Sequence, residues 1–266
     1  MLKSTSMSFR VMSGLNMAAA LTVFCGCASL PADAIRRLEQ AQVHYDGNRF
    51  VDSKRALGLV ISNYPETKEI DAAYYLRGMC YYREHREDSA RADFELALRH
   101  SNSADITARA SAQMGHIAYQ RKAFAAASRS YAQAIDSAGD AAFMDQVYYR
   151  YGDSLQKVGR WEAGRKVLPK VWTLYPNSTL VGYAKMKFGW PHQYHSIQCG
   201  AFNRSDLAQG LTNNLRRQGF DASVEVNLRG QRVKHVVHVG RYRVFKDAES
   251  DLPRVRQLAA DAFIVP

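Results

Sequence analysis

Four histidines and a cysteine gather near the C-terminal end of the chain: His192, His195, Cys199, His235 and His238. Imidazole and thiolate are common zinc ligands, so a metal centre is the first chemistry to test. Strand alternation argues against it. His235 and His238 are three residues apart in an extended segment and point to opposite faces of a sheet. His195 and Cys199 share one face, while His238 lies on the other. No metal and no cofactor are expected. The same alternation gives the outward positions another use. Ser196 and Gln198, Val236 and His238, and Phe263 on the last strand fall on the face that helices leave uncovered. Amides and imidazoles hydrogen-bond hydroxyls, and a ring offers an apolar platform to C–H groups, a combination suited to a saccharide. No nucleophile elbow, phosphate loop or zincin helix occurs in the chain, and its carboxylates are scattered over helix surfaces. Catalysis is not expected.

These residues are positioned by a unit written twice. Ile197–Phe202 returns as Val237–Tyr242, an offset of 40 that also links Ala208 to Ala248, Leu215 to Val255 and Asp221-Ala222 to Asp261-Ala262. The pattern predicts strand 194–202, helix 205–218, strand 220–226, strand 232–242, helix 246–259 and strand 261–265, with a turn at Leu228-Arg229-Gly230. Two such halves are expected to form one four-stranded antiparallel sheet with both helices on one side. Pro253 should kink or shorten the second helix.

A second period governs the middle of the chain. Ala41, Gly78, Gly115 and Gly152 follow one another at 37 residues, as do Ser53, Ala90, Ala127 and Gly164, and the larger Leu57, Phe94, Tyr131 and Leu168. Small residues at two fixed points with a large one between predict four helix–turn–helix units in which paired helices approach closely. Gly47-Asn48-Arg49 and Gly159-Arg160 mark turns within units, and the turns between units are expected at 66–69, 102–105 and 139–142. Residues 179–188 read as a terminal helix stopped by Gly189, with Trp190-Pro191 as a hinge. One further column, Tyr45, Tyr82, Tyr119 and Gln156, admits two readings: a surface for capturing a protein segment, or rings packed between neighbouring helices.

The N-terminus supplies an address. Lys3 and Arg10 precede an apolar stretch from Val11 to Phe24, followed by Cys25-Gly26-Cys27, the layout of a secretory signal. A net charge of +11, from Lys+Arg 36 against Asp+Glu 25, favours acidic partners such as nucleic acid, anionic lipid or cell-wall polymer. The signal points outside the cytosol, and the aromatic pattern of an RNA-reading strand is missing, so no nucleic acid is expected. Cys80 and Cys199 fall in different regions and read as buried thiols.

Three resemblances follow. Gly26-Cys27 resembles the lipobox of bacterial lipoproteins, which implies acylation of Cys27; an ordinary cleaved signal and a retained anchor are the other readings. No Asp follows Cys27, which by family analogy favours the outer membrane. The helical units resemble tetratricopeptide repeats, lengthened from the usual ~34 residues, in which the Tyr45 column faces a concave groove. His195–Phe202, Gly219–Ala222, Val237–Tyr242 and Asp261–Val265 resemble a SPOR domain, a family with a ferredoxin-like βαββαβ fold that binds peptidoglycan glycan strands stripped of stem peptides at division septa. The sequence departs from that family at His235-Val236 and Cys199.

The resulting expectation is an α + β multidomain chain: signal peptide 1–26, four helical hairpins plus a capping helix over 34–189, and a SPOR domain over 192–266. Its expected role is a non-catalytic envelope lipoprotein facing the periplasm. It would hold glycan through Ser196, Gln198, Val236, His238 and Phe263, and an envelope protein through Tyr45, Tyr82, Tyr119 and Gln156. The alternative is a scaffold of outer-membrane assembly or secretion machinery whose C-terminal sheet contacts protein.

Overall fold

The computed structural model describes residues 29–138, 143–229 and 232–266. The signal segment with Cys27 lies outside the described residues, as does the turn expected at 139–142. Two compact units are present, residues 29–117 with 132–138 and residues 118–131 with 143–266.

The first unit is helical. It holds α1 (Ala32–Asp46), α2 (Phe50–Asn63), α3 (Ile70–Arg83) and α4 (Glu87–His100), with most of α5 (Ala104–Gln120) and the end of α6 (Phe124–Ser137). The small-residue columns face each other within hairpins. Buried Ser53 donates its hydroxyl to the Ala41 carbonyl at 2.8 Å, and a Cβ on Gly78 would lie 2.8 Å from the Phe94 ring. Phe94 therefore fills the gap inside its own hairpin and also meets Ile106 and Ala110 of the next.

The turns inside hairpins obey the same period. Asn48, His85, Lys122 and Gly159 all adopt positive φ, between 58° and 80°. The residue after each donates its N–H to a carbonyl five positions back: Arg49 to His44, Arg86 to Tyr81, Ala123 to Ala118 and Arg160 to Leu155. This bond closes the helix end while the left-handed residue reverses the chain. Asn and Gly announce that conformation; His85 and Lys122 do not, since a left-handed non-glycine residue costs roughly 1–2 kcal/mol. There the closing backbone bond from Arg86 or Ala123 accompanies it.

The second unit begins with part of α5 and α6 and continues with α7 (Met144–Lys157), α8 (Trp161–Val167), α9 (Pro169–Leu174) and α10 (Val181–Phe188). The second helix of the fourth hairpin is broken between α8 and α9. Pro169 has no N–H to continue the ladder and instead starts a new helix.

The sheet follows: β1 (His195–Phe202), α11 (Ser205–Arg217), β2 (Ala222–Arg229), β3 (Arg232–Tyr242), α12 (Phe245–Arg256) and β4 (Phe263–Val265), with strand order β2-β3-β1-β4 and antiparallel pairing throughout. Strand β2 starts later than expected and runs on through Arg229. Helix α12 ends at Arg256, shortened around Pro253. Ile197, Val237 and Val239 meet Ala208, Leu215, Ala248 and Val255 of the two helices in one apolar core.

The segment expected to act as a hinge after α10 is held by α8, whose Arg165 donates to the Trp190 carbonyl. The Trp161 indole of α8 donates to the Arg243 carbonyl at 3.0 Å, and its ring stands 4.6 Å from that of His195 on β1. Among the described residues no helix is long and apolar enough to cross a membrane.

Candidate functional site

The duplicated unit builds the sheet by the same devices in both halves. Gly200 and Gly240 sit in the long central strands, each overlaid by the ring two residues on: a Cβ would come within 2.8 Å of Phe202 and within 2.1 Å of Tyr242. Gly240 also needs φ +74°, and its N–H donates to the Asp221 carbonyl at 2.8 Å. At the end of each helix an arginine donates Nε to the strand that follows, Arg216 to the Ala222 carbonyl at 2.8 Å and Arg256 to the Ala262 carbonyl at 2.9 Å. These arginines share the 40-residue offset, a signal in the sequence that the pattern reading passed over.

Strand pairing lays out the face opposite the helices. Phe263 pairs with Gln198, Gln198 with His238, and His238 with Ser223, one row across β4, β1, β3 and β2. The neighbouring row runs Ala201, Val236 and Glu225. The two sides of this face differ. Phe263 is 49% exposed and Gln198 half-buried, but Val236 is 6% and His238 8% exposed. Ser196 is 1% exposed, its hydroxyl donating to the Val239 and Gly240 carbonyls at 3.1 and 3.0 Å. The expectation that Ser196, Val236 and His238 stand open to solvent is therefore corrected.

Burial has a visible cause at His238. The Trp190 ring lies 6.3 Å from it, edge-on, and Glu225 approaches its Nδ1 at 3.4 Å. Burial pulls the His238 imidazole below its ordinary pKa, against the opposing pull of Glu225.

His195, on the helix side of β1, is held between Trp161 and Phe245, the latter 5.6 Å away. Burial, reinforced by Lys187, depresses its pKa to about 4.

The tyrosine column divides as well. Tyr45 is half-buried, with Phe50 at 5.8 Å and the Arg83 guanidinium 5.9 Å from its ring; burial raises its phenol pKa against a hydrogen bond from Arg83. Tyr82 is half-buried and packs on the core formed with Phe94 and Ile106.

The other two positions are occupied by the chain itself. The Tyr119 hydroxyl donates to Asp153 and accepts from Lys157 at 3.1 Å. Lys157 places its ammonium 4.8 Å from the Tyr119 ring, 4.4 Å from Phe124 and 4.8 Å from Phe245. Asp153, fully buried, also pairs with Lys157 at 3.1 Å and Lys187 at 2.6 Å. Burial opposes its ionisation, but the two ammonium groups outweigh burial and hold the carboxyl below its ordinary range. Gln156, expected in the groove, is fully buried and donates its amide to the Lys187 carbonyl at 3.4 Å. Its place in an open groove is corrected: α10 covers it.

No group of three or more His, Cys, Asp or Glu able to hold a metal occurs among the described residues. Cys80 and Cys199 are buried free thiols, pushed up to about 11 and about 12 by burial, which keeps them protonated and inert.

No curated protein matches the chain. Among solved structures it is similar to YrrB, described as a TPR protein with an unusual peptide-binding site. That likeness has 17% identity, 59% coverage of this chain, 75% of the other and a TM-score of 0.48. It is also similar to MamA AMB-1, at 11% identity, 85% and 98% coverage and a TM-score of 0.45. Residues 191–266 match the family described as SPOR domain, a module that implies peptidoglycan binding.

Proposed function

We propose that this chain is a non-catalytic cell-envelope protein that docks on peptidoglycan glycan strands and carries a protein partner on its helical repeats. The observation that carries the reading is the open side of the SPOR sheet. Phe263 presents an exposed ring beside the Gln198 amide on the face opposite the helices. A sugar ring stacks its C–H face on such a platform while the amide meets its hydroxyls. The net charge of +11 adds attraction to an anionic wall.

The partner surface is assigned to Tyr45 and Tyr82, half-buried tyrosines of one column on the first unit. A lipid on Cys27, an outer-membrane station facing the periplasm and a role in cell division or envelope maintenance complete the proposal.

The full chain should pellet with purified sacculi, more strongly after an amidase has removed stem peptides. A folded chain that ignores both intact and denuded sacculi would overturn the glycan reading.

A further inference from the structure

Between α10 and β1 the chain runs through Trp190, Pro191, His192, Gln193 and Tyr194. The segment is folded on itself and anchored. The Trp190 indole donates to the Tyr194 carbonyl at 2.9 Å, and the His192 ring stacks on Tyr194 at 4.6 Å with planes 13° apart. Helix α8 holds its outer side, with Arg165 donating to the Trp190 carbonyl and Gln193 to Glu162.

The inner side meets the sheet. Trp190 lies against His238, and the Glu225 carboxylate stands 3.4 Å from His238 and 4.0 Å from His192. Val236, paired with Glu225 in the next row, is buried on the same face. On the β4–β1 side, Phe263 remains exposed. The groups that the segment satisfies on the β3–β2 side, an imidazole and a carboxylate on a flat strand surface, are those a sugar would otherwise engage through hydroxyls. Its own tryptophan supplies an edge-on ring contact to His238.

We propose that Trp190–Tyr194 is an intramolecular occupant of the saccharide face. It is a strap that covers the β3–β2 half and confines glycan to the β4–β1 half until it is displaced. This inference rests on the glycan reading above. A ligand that engages His238 and Glu225 must replace the strap's contacts, so its apparent affinity is reduced by the fraction of molecules whose strap is closed.

The test uses the full chain and denuded sacculi. Trp190→Ala removes the contact on His238, and His192→Ala removes the contact on Glu225 while leaving the indole in place. Each variant should bind about three- to tenfold more tightly than wild type, the effect of removing roughly one kcal/mol of competition. Soluble denuded glycan should also speed backbone hydrogen exchange across 190–194 in wild type.

Unchanged or weakened binding in both folded variants, with exchange across 190–194 unmoved by glycan, would overturn the strap. Weaker binding by Trp190→Ala alone would place the indole among the glycan contacts and also overturn it. Should wild type and both variants all fail to pellet, the glycan reading falls, and the strap with it. Binding by wild type with no gain in either variant removes only the strap.

Discussion

Gln198 and His238 occupy the same position in two copies of one unit and face each other across neighbouring strands, yet Gln198 is partly accessible and His238 is buried. The pair three residues earlier diverges too: His195 is fully enclosed beneath Trp161 and Phe245, whereas His235 is half-buried. The halves share backbone devices, namely the glycine under a ring and the arginine closing helix to strand. They differ in what leans on them from outside the duplication. Helix α8 takes one end of β1, and the 190–194 strap takes the outer side of β3. Equivalent places in a repeat specify geometry; the neighbours specify chemistry.

The largest effect that would sharpen this contrast is a pH dependence. The His195 pKa is about 4 in the folded chain, below the ordinary ~6.5, so the unfolded state binds more protons between those values. Its contribution is complete above about pH 6.5 and is lost as pH falls toward 4, by about 3 kcal/mol. Denaturant melts from pH 7 to pH 4 should show this slope and His195→Gln should flatten it. A slope that His195→Gln leaves in place would dissolve the asymmetry.

Next in size is the pair of glycines. Gly240→Ala forces a left-handed alanine and a collision with Tyr242, whose hydroxyl is bonded to Asp251 at 2.8 Å. A loss of about 2–4 kcal/mol is expected. Gly200→Ala meets the edge of Phe202, with Leu211 at an ordinary 3.7 Å, at ordinary φ and should cost about 1 kcal/mol. Thermal unfolding measures both, and equal losses would show that φ at Gly240 carries no special weight.

The exposed and covered positions should then separate binding from stability. Phe263→Ala should weaken pelleting with denuded sacculi about five- to tenfold, with a stability change within roughly 0.5 kcal/mol. His238→Ala should instead cost about 1–2 kcal/mol of stability, because it empties a buried site beside Trp190. A Phe263 variant that melts early but binds normally would reverse the assignment.

The smallest expected effect tests the shared devices. Arg216→Ala and Arg256→Ala each remove one charge-assisted bond to a strand carbonyl and should each cost about 1 kcal/mol, alike within error. Unequal losses would mean that the two halves are not equivalent even where their contacts match.

Periodicity carried most of the architecture. The 37-residue columns located the helix pairs because close packing admits only small residues where backbones approach, as at Ala41 and Ser53. The 40-residue offset and the alternation of Ile197, Val237 and Val239 located the strands and their buried side, because a pleat turns successive side chains to opposite faces. The break at Pro169 and the paired arginines were also legible, since both follow from residue type and spacing.

What no local pattern encodes is which non-periodic segment leans on a regular one. The contacts of Trp190 with His238, of Lys187 with Gln156 and of Trp161 with His195 join residues that share no repeat. They decide that half the sheet face opposite the helices is covered, that Tyr119 and Gln156 are engaged within the chain and that His195 cannot easily take a proton. The sequence by itself determined the units and the side each residue faces, because local sterics and alternation set those. Solvent access and protonation were left to the tertiary structure, because both depend on groups brought from elsewhere in the chain.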